Sequence, residues 1–232
     1  MKKSLWIAMG AALVASVVAA LAQEVLSANA IGYIKRELPA GDKLITVAVP
    51  LYNMTAANNV FSNLSIASET PVGSSASFWD QGQQKWVVGA KKAKGGWDAS
   101  VATQIVDSAE FFFIKGPATS TVPTQVTIAG EVPTDASLVR GFTGNSNLTA
   151  MANAYPADFV FSNSTLATRA TVGSSVSFWD VAGQKWVVGA KKAKGGWDSN
   201  VATQLVTATS GFFMKEAGSV TTWTNSKPYT WP

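Results

Sequence analysis

The chain has 232 residues, a formal net charge of +4 and charged side chains at only 14% of positions, with neither cysteine nor histidine. Ordinary globular proteins carry about 25% charged residues. The two missing residue types exclude disulfides, thiolate or imidazole catalysis and the usual zinc sites. We therefore expect no catalytic residue, no metal and no cofactor, and a stability that rests on packing or assembly.

The N-terminus has the pattern of an export signal. Lys2 and Lys3 precede a long apolar run, which ends in the small-residue cleavage site Ala-Leu-Ala at residues 20–22. A membrane anchor is the competing interpretation, because the run approaches the length that spans a bilayer. We favour cleavage of residues 1–22, which predicts a secreted or cell-surface protein without a membrane span.

An internal repeat organises the remaining chain. Residues 84–98 and 184–198 have the same sequence, QKWVVGAKKAKGGWD, and the offset of 100 residues extends to shorter matches on both sides. This predicts two similar domains, residues 23–122 and residues 123–232. Their cores are either separate or fused into one continuous sandwich.

Short segments with the alternation of β-strands follow one another, separated by turn residues. We predict strands at residues 31–38, 44–49, 75–79, 85–88, 110–115 and 124–132. A glycine- and lysine-rich loop is predicted at 89–96, and one short helix at 55–63 has a counterpart that begins at Pro156. The predicted fold class is all-β: two similar small β-sandwich or barrel-like domains in tandem, each with at most one short helix.

The alternation also predicts which side chains share a face. If Trp79 pairs with Trp86 across the hairpin, both indoles lie on one face and Phe78 lies on the other, in the core. The second repeat predicts the same arrangement for Trp179 and Trp186.

Several short motifs resemble a known repeat: Asn-Ala-Ile-Gly-Tyr at 29–33, Leu-Pro-Ala-Gly at 38–41, Ser-Phe-Trp-Asp at 77–80 and Phe-Phe-Ile-Lys at 112–115. They are similar to motifs of a family of uncharacterised exported bacterial proteins built from two β-rich repeats of about this length. Members often have a Pro-Gly-x-Gly turn before the aromatic strand, where this chain has Asp-Ser-Ala-Glu at 107–110. The resemblance implies export and small β-domains, and it transfers no activity and no functional residue.

The lysine loop is the first candidate for ligand binding. Its glycines let backbone N–H groups approach an anion, and three lysines in each copy add positive charge. These are Lys91, Lys92, Lys94, Lys191, Lys192 and Lys194. Such a loop fits glycans or acidic polymers without specific nucleic-acid recognition. The alternative, which we favour, is a solvated loop whose lysines discourage pairing of strand edges.

The repeated tryptophans are the second candidate: Trp79, Trp86, Trp97, Trp179, Trp186 and Trp197. Exposed indoles offer flat faces to sugar rings, whereas buried indoles fill a core and donate their N–H to a partner. We favour packing within or between the repeats. Asp80 and Asp98 border turns, so we expect them to accept hydrogen bonds from the backbone rather than to act as catalytic acids.

The C-terminal segment, residues 221–232, carries Trp223, Tyr229 and Trp231 beyond the second repeat. Disordered ends rarely contain so many aromatic residues. We expect the segment either to close a sheet of its own chain, with residues 31–38 as one possible neighbour, or to add to the edge of another chain. We favour closure.

Together these features predict a secreted, non-catalytic structural or adhesive protein of the cell surface or an extracellular assembly, with self-association through edge strands. The alternative is a glycan- or polyanion-binding protein that uses the tryptophan faces and the lysine loops. The duplicated sequence reflects either recent duplication or the presentation of one surface twice.

The export signal gives the first testable prediction. Because a signal peptidase cuts after a small-x-small motif, secreted protein should begin near Gln23. Intact-mass measurement of the secreted protein checks this, and a mass that includes residues 1–22 would contradict it.

Overall fold

The computed structural model describes residues 30–51, 59–141, 147–218 and 222–230. Its strands fall into two halves of the same topology. The first half contains β1 (Ile31–Leu38), β2 (Leu44–Ala48), β3 (Ser75–Asp80), β4 (Lys85–Lys92), β5 (Gly96–Trp97), β6 (Phe111–Lys115) and β7 (Thr124–Glu131). The second half contains β8 (Ser137–Gly141), β9 (Leu148–Ala152), β10 (Phe159–Val160), β11 (Ser175–Asp180), β12 (Lys185–Lys192), β13 (Gly196–Trp197), β14 (Leu205–Val206), β15 (Gly211–Lys215) and β16 (Thr222–Ser226).

Each half combines a five-stranded antiparallel sheet with a two-stranded ribbon. The sheet order is β2-β6-β3-β4-β5 in the first half and β9-β15-β11-β12-β13 in the second. The ribbons are β1–β7 and β8–β16, and a further short pair, β10–β14, lies in the second half. The first and last strands of each half therefore pair with each other. This arrangement confirms the predicted all-β fold with tandem halves.

By strand pairing, β7 belongs to the first half. It runs antiparallel to β1, with Glu131 opposite Ile31 at one end and Thr124 opposite Leu38 at the other. The domain boundary predicted from the sequence, between residues 122 and 123, places β7 in the second repeat. The C-terminal segment closes its own half in the equivalent way, since β16 pairs with β8 rather than with β1. Trp223 in β16 is only 3% exposed. Trp231 lies outside the described residues.

The helical segments are short and lie at equivalent places in the two halves. They are the 3-10 helices η1 (Phe61–Asn63) and η2 (Phe161–Asn163) and the α-helices α1 (Ser65–Glu69), α2 (Ala99–Ala102), α3 (Thr165–Arg169) and α4 (Ser199–Ala202). Each half thus has three such segments where the sequence predicted at most one, because four or five residues are too few to show a helical period.

The two predicted helices have different outcomes. Residues 52–58, the main part of the first predicted helix, lie outside the described residues. The helix predicted to begin at Pro156 is wrong, because β10 occupies the positions just after it. Within the described ranges no helix is long and apolar enough to cross a membrane.

The predicted register of the repeated hairpins is confirmed. Trp79 faces Trp86 and Phe78 faces Val87, and the second half repeats these pairs. Phe78 is 8% exposed and lies between Phe61 and Phe112, with ring centroids 5.1 and 4.8 Å away. The core of each half thus lies on the phenylalanine face of the sheet, beneath the ribbon and the short helices.

The predicted loop at 89–96 is wrong over its first four residues, because β4 continues to Lys92 and pairs with β5. A Cβ on Gly89 would lie 2.6 Å from a methyl carbon of Val101. This glycine allows helix α2 to approach the strand closely, so it does not indicate a flexible loop.

The core position of Phe78 and Phe178 gives the second testable prediction. Phe78→Ala or Phe178→Ala should lower the free energy of unfolding by about 3–5 kcal/mol, because each leaves a cavity among aromatic rings. Chemical denaturation measures this. Val88→Ala, at a 57% exposed position on the opposite face, is the control and should change stability by about 0.5 kcal/mol or less. A loss below about 1 kcal/mol for both phenylalanine variants would contradict the assignment of the core face.

Candidate functional site

The tryptophan faces of the two sheets pack against each other and form the junction between the halves. Phe213 lies 5.1 Å from Trp79, and Phe113 lies 5.2 Å from Trp179, measured between ring centroids. Phe111 lies between the sheets, with its ring 5.0 Å from that of Phe213. Four of the repeated indoles are therefore half-buried in an aromatic layer that belongs to both halves.

The polar contacts of this junction are reciprocal. Trp79 donates its indole N–H to the carbonyl of Leu148 at 3.1 Å, and Trp179 donates its own to the carbonyl of Leu44 at 2.9 Å. Leu44 and Leu148 begin the edge strands β2 and β9. Each half thus satisfies a backbone group on the exposed edge of the other, which relates the halves by an approximate two-fold axis.

Two glutamines complete the same contacts. The amide of Gln84 accepts a hydrogen bond from the Leu148 N–H at 2.8 Å and donates one to its carbonyl at 3.0 Å. Gln184 makes the corresponding pair with Leu44. Both glutamines have left-handed backbones, with φ of 51° and 49°. Such a conformation costs a non-glycine residue about 1 kcal/mol or more, so the two contacts are retained against a local strain.

An apolar groove of about 290 Å³ opens along one side of the junction. Its lining residues are Leu44, Ser77, Trp86, Val88, Phe113, Trp179 and Trp186. Ser77 is the one polar side chain in this lining. The groove offers aromatic surface to a ligand and few groups that could orient it by hydrogen bonds.

The third tryptophan of each repeat is placed elsewhere. Trp97 packs its ring 4.9 Å from that of Phe61 and donates its N–H to the Ala67 carbonyl at 2.9 Å. Trp197 makes the same contacts with Phe161 and Ala167. These two indoles fix the short helices of their own half, so the six tryptophans do not form one surface.

Lys91 holds the end of a helix rather than a ligand. Its ammonium donates to the carbonyls of Ala67, Ser68 and Thr70 at 2.7–2.9 Å, at the C-terminal end of α1. A lysine at this place satisfies helix carbonyls that have no partner within the helix. Burial lowers the pKa of Lys91 from its ordinary value. Lys191 makes the equivalent three contacts in the second half.

The other lysines of the predicted loop divide into two pairs. Lys92 and Lys192 form ion pairs with Asp98 and Asp198. The hydrogen bond from Lys92, and then that from the Ala90 backbone, lower the pKa of Asp98. Because the folded-state pKa is lowered, this contact stabilises fully above the ordinary aspartate pKa and is lost as the pH falls through the lowered value.

The remaining pair, Lys94 and Lys194, is exposed and makes no ion pair with any residue that the structure describes. These two are the free charges of the predicted basic patch.

The acids behave as turn residues: Asp80 accepts a hydrogen bond from the Gln83 N–H at 2.8 Å, and Asp180 accepts one from the Ala182 N–H at 3.0 Å. Within the described ranges no three acidic side chains lie close enough to hold a metal ion.

One feature that the tryptophan and lysine motifs did not indicate is the outer edge of the β1–β7 ribbon. The backbone N–H of Thr127 in β7 donates to the Glu69 carboxylate, and its carbonyl accepts from the Ser65 hydroxyl. Both partners belong to α1, so these backbone groups point away from β1. Thr127 faces Lys35 in the ribbon, so this is a non-hydrogen-bonded pair and the backbone groups of Lys35 also point away. Because the alternation repeats every second residue, the backbone N–H and carbonyl of Tyr33 also point away from β7.

This outer edge of β1 has no hydrogen-bond partner among the described residues. The side chains that flank it are exposed, Ile31 by 65% and Tyr33 by 72%. The second half has an equivalent edge, because Thr224 of β16 accepts from Thr165 of α3 and faces Val139 of β8, which is 63% exposed. Within the part of the chain that the structure describes, the ribbon of each half thus presents one outer edge.

The geometry defines a tandem β-repeat protein whose two halves pack through an aromatic junction. Comparison with known protein-family models, with curated protein sequences and with solved structures finds no match. The two β-rich halves implied by the sequence resemblance are present, and no family is identified. Function is therefore inferred from the arrangement of this chain's own residues.

The different places of the lysines give the third testable prediction. Lys91→Gln should destabilise the protein by about 1–3 kcal/mol, because three helix carbonyls lose a charged donor. Lys94→Gln is the matched control and should stay within about 0.5 kcal/mol of the wild type. Chemical denaturation measures both. Equal stability of the two variants would contradict the role of Lys91 as a helix cap.

Proposed function

We propose that this chain is a secreted, non-catalytic structural or adhesive protein that associates with further copies of itself through strand edges, at the cell surface or in an extracellular assembly. The outer edge of β1 is the observation that carries the proposal. It offers backbone groups that no described residue pairs with, beside the exposed side chains of Ile31 and Tyr33, and such an edge is a template for another strand.

A second copy of this chain is the partner that the edge fits. When a second β1 is added in the antiparallel direction, the outward backbone groups of Tyr33 in one copy can pair with those of Lys35 in the other. The pairing is self-complementary, so two copies contribute the same surface.

The edge of β8 extends the association beyond two copies. Pairing of β1 with β1 leaves the β8 edge of each copy accessible, and pairing of β8 with β8 joins one such dimer to the next. Two independent self-complementary contacts on one chain build a linear assembly. This supports a structural role more directly than a single binding site would.

The experiment blocks each edge separately, which gives the fourth testable prediction. Lys35→Pro removes an N–H that points away from β7, so the ribbon itself should remain intact. Val139→Pro does the same at the β8 edge. The wild type should show a mass that grows with concentration, each single variant should stop at a dimer, and the double variant should be monomeric. Analytical ultracentrifugation and electron micrographs measure this.

Lys35→Thr and Val139→Thr are the controls, because they change the same side chains and keep the backbone N–H. They should assemble like the wild type. A wild-type protein that stays monomeric up to millimolar concentration would refute the proposed function, and so would proline variants that fold and assemble unchanged.

Glycan or polyanion binding is the second candidate, and the junction groove with Trp86, Trp179 and Trp186 is the observation that favours it. Indole faces stack on sugar rings. Its support is weaker, because only Ser77 adds a polar side chain to the lining and because Lys91 and Lys92 are engaged within the fold. Quenching of tryptophan fluorescence by added oligosaccharides would favour it.

A further inference from the structure

The approximate two-fold axis gives each side chain of the junction a counterpart in the other half, and one pair of arginines differs in its surroundings. Arg36 in β1 and Arg140 in β8 are counterparts, since each lies eight residues before the leucine that begins the next strand, Leu44 or Leu148. Both point from the ribbon of their own half towards the other half.

Arg140 is neutralised by the first half. Its Nη2 atom donates to the carboxylate of Glu110 and, at 3.2 Å, to the side-chain oxygen of Gln81. Its Nη1 atom lies 3.6 Å from an Asp107 carboxylate oxygen. Burial lowers the pKa of this guanidinium, and the charge of Asp107 acts in the opposite direction.

Arg36 meets different residues at the equivalent positions. Val181, Thr207 and Ser210 replace the glutamine and the two acids that surround Arg140. Arg36 donates from Nη2 to the carbonyl of Thr46 at 3.2 Å, within its own half. No acidic side chain of the described residues forms an ion pair with it.

The space that Glu110 and Asp107 fill in one site is open in the other. A cavity of about 180 Å³ lies between Arg36 and the second half. Its polar lining includes Thr207 and Ser210, and its apolar lining includes Phe178, Trp179 and Leu205. The hydroxyl of Thr207 is buried and has no hydrogen-bond partner among the described residues. The same holds for the Nε atoms of both arginines, so the Thr207 hydroxyl is the unpartnered group that distinguishes the open site.

We propose that this cavity binds a small carboxylate with a short apolar group, which takes the place that the Glu110 carboxylate occupies beside Arg140. A half-buried guanidinium without a counter-ion has lost part of its hydration without compensation, and a planar carboxylate can accept two of its N–H groups at once. The Thr207 hydroxyl can donate to the same group. The apolar walls and the small volume select a short aliphatic acid over a phosphate or a large anion.

The experiment measures the binding of acetate and propionate to the full chain. The wild type should show a melting temperature that rises with either salt, relative to sodium chloride at the same ionic strength, because a ligand that binds only the folded state stabilises it. Isothermal titration calorimetry should show one site. Arg36→Gln should weaken carboxylate binding by about tenfold or more. Lys43→Gln removes the same charge from an exposed position outside the cavity and should leave binding unchanged.

A second variant keeps Arg36 and places the acid in the chain. Ser210→Glu supplies at the cavity the residue that the other half has at position 110, so it should raise the melting temperature without added salt and abolish the response to acetate. A wild type that responds equally to acetate and chloride would overturn the proposal. A full response to acetate in Arg36→Gln or in Ser210→Glu would overturn it as well.

Discussion

Reciprocal hydrogen bonding across the aromatic junction is the interaction on which the rest of this structure depends. Each edge strand, β2 or β9, would expose a backbone N–H and carbonyl where the two halves meet. An indole and a glutamine amide from the opposite half satisfy these groups, beside rings that exclude water. Unpaired backbone groups are costly when buried. The aromatic packing and the edge contacts therefore stabilise each other.

The two halves share a topology without being interchangeable. Gly211 faces Phe111 across the approximate two-fold axis, and a Cβ at position 211 would lie 2.2 Å from the Phe111 Cβ. Two identical halves would bring two phenylalanines into this space, so one position needs a residue without a side chain. The same difference extends to the arginine sites, where only one half provides the acids. The two copies differ at these positions because a residue near a two-fold axis contacts its own counterpart.

Residue type alone did not distinguish a binding surface from a structural contact. Lysines and tryptophans in a glycine-rich segment suggested a ligand site, yet Lys91 caps a helix and Trp97 packs beside it. Both long side chains combine an apolar body with a polar tip, so they suit contacts inside a fold as well as contacts with ligands. The features that now carry functional proposals, the β1 edge and the Arg36 cavity, involve ordinary strand residues that form no motif.

The sequence by itself determined the local structure: the strand at Ile31–Leu38, the pairing of Trp79 with Trp86, and the tandem all-β halves. These follow from alternation and repetition, which act over a few residues or appear directly as identity. Only the tertiary structure decided that the indole faces meet each other, and that Arg36 lacks the acids that Arg140 has. Such contacts join residues that are 30 to 135 positions apart, and a single sequence does not record which distant faces will be brought together.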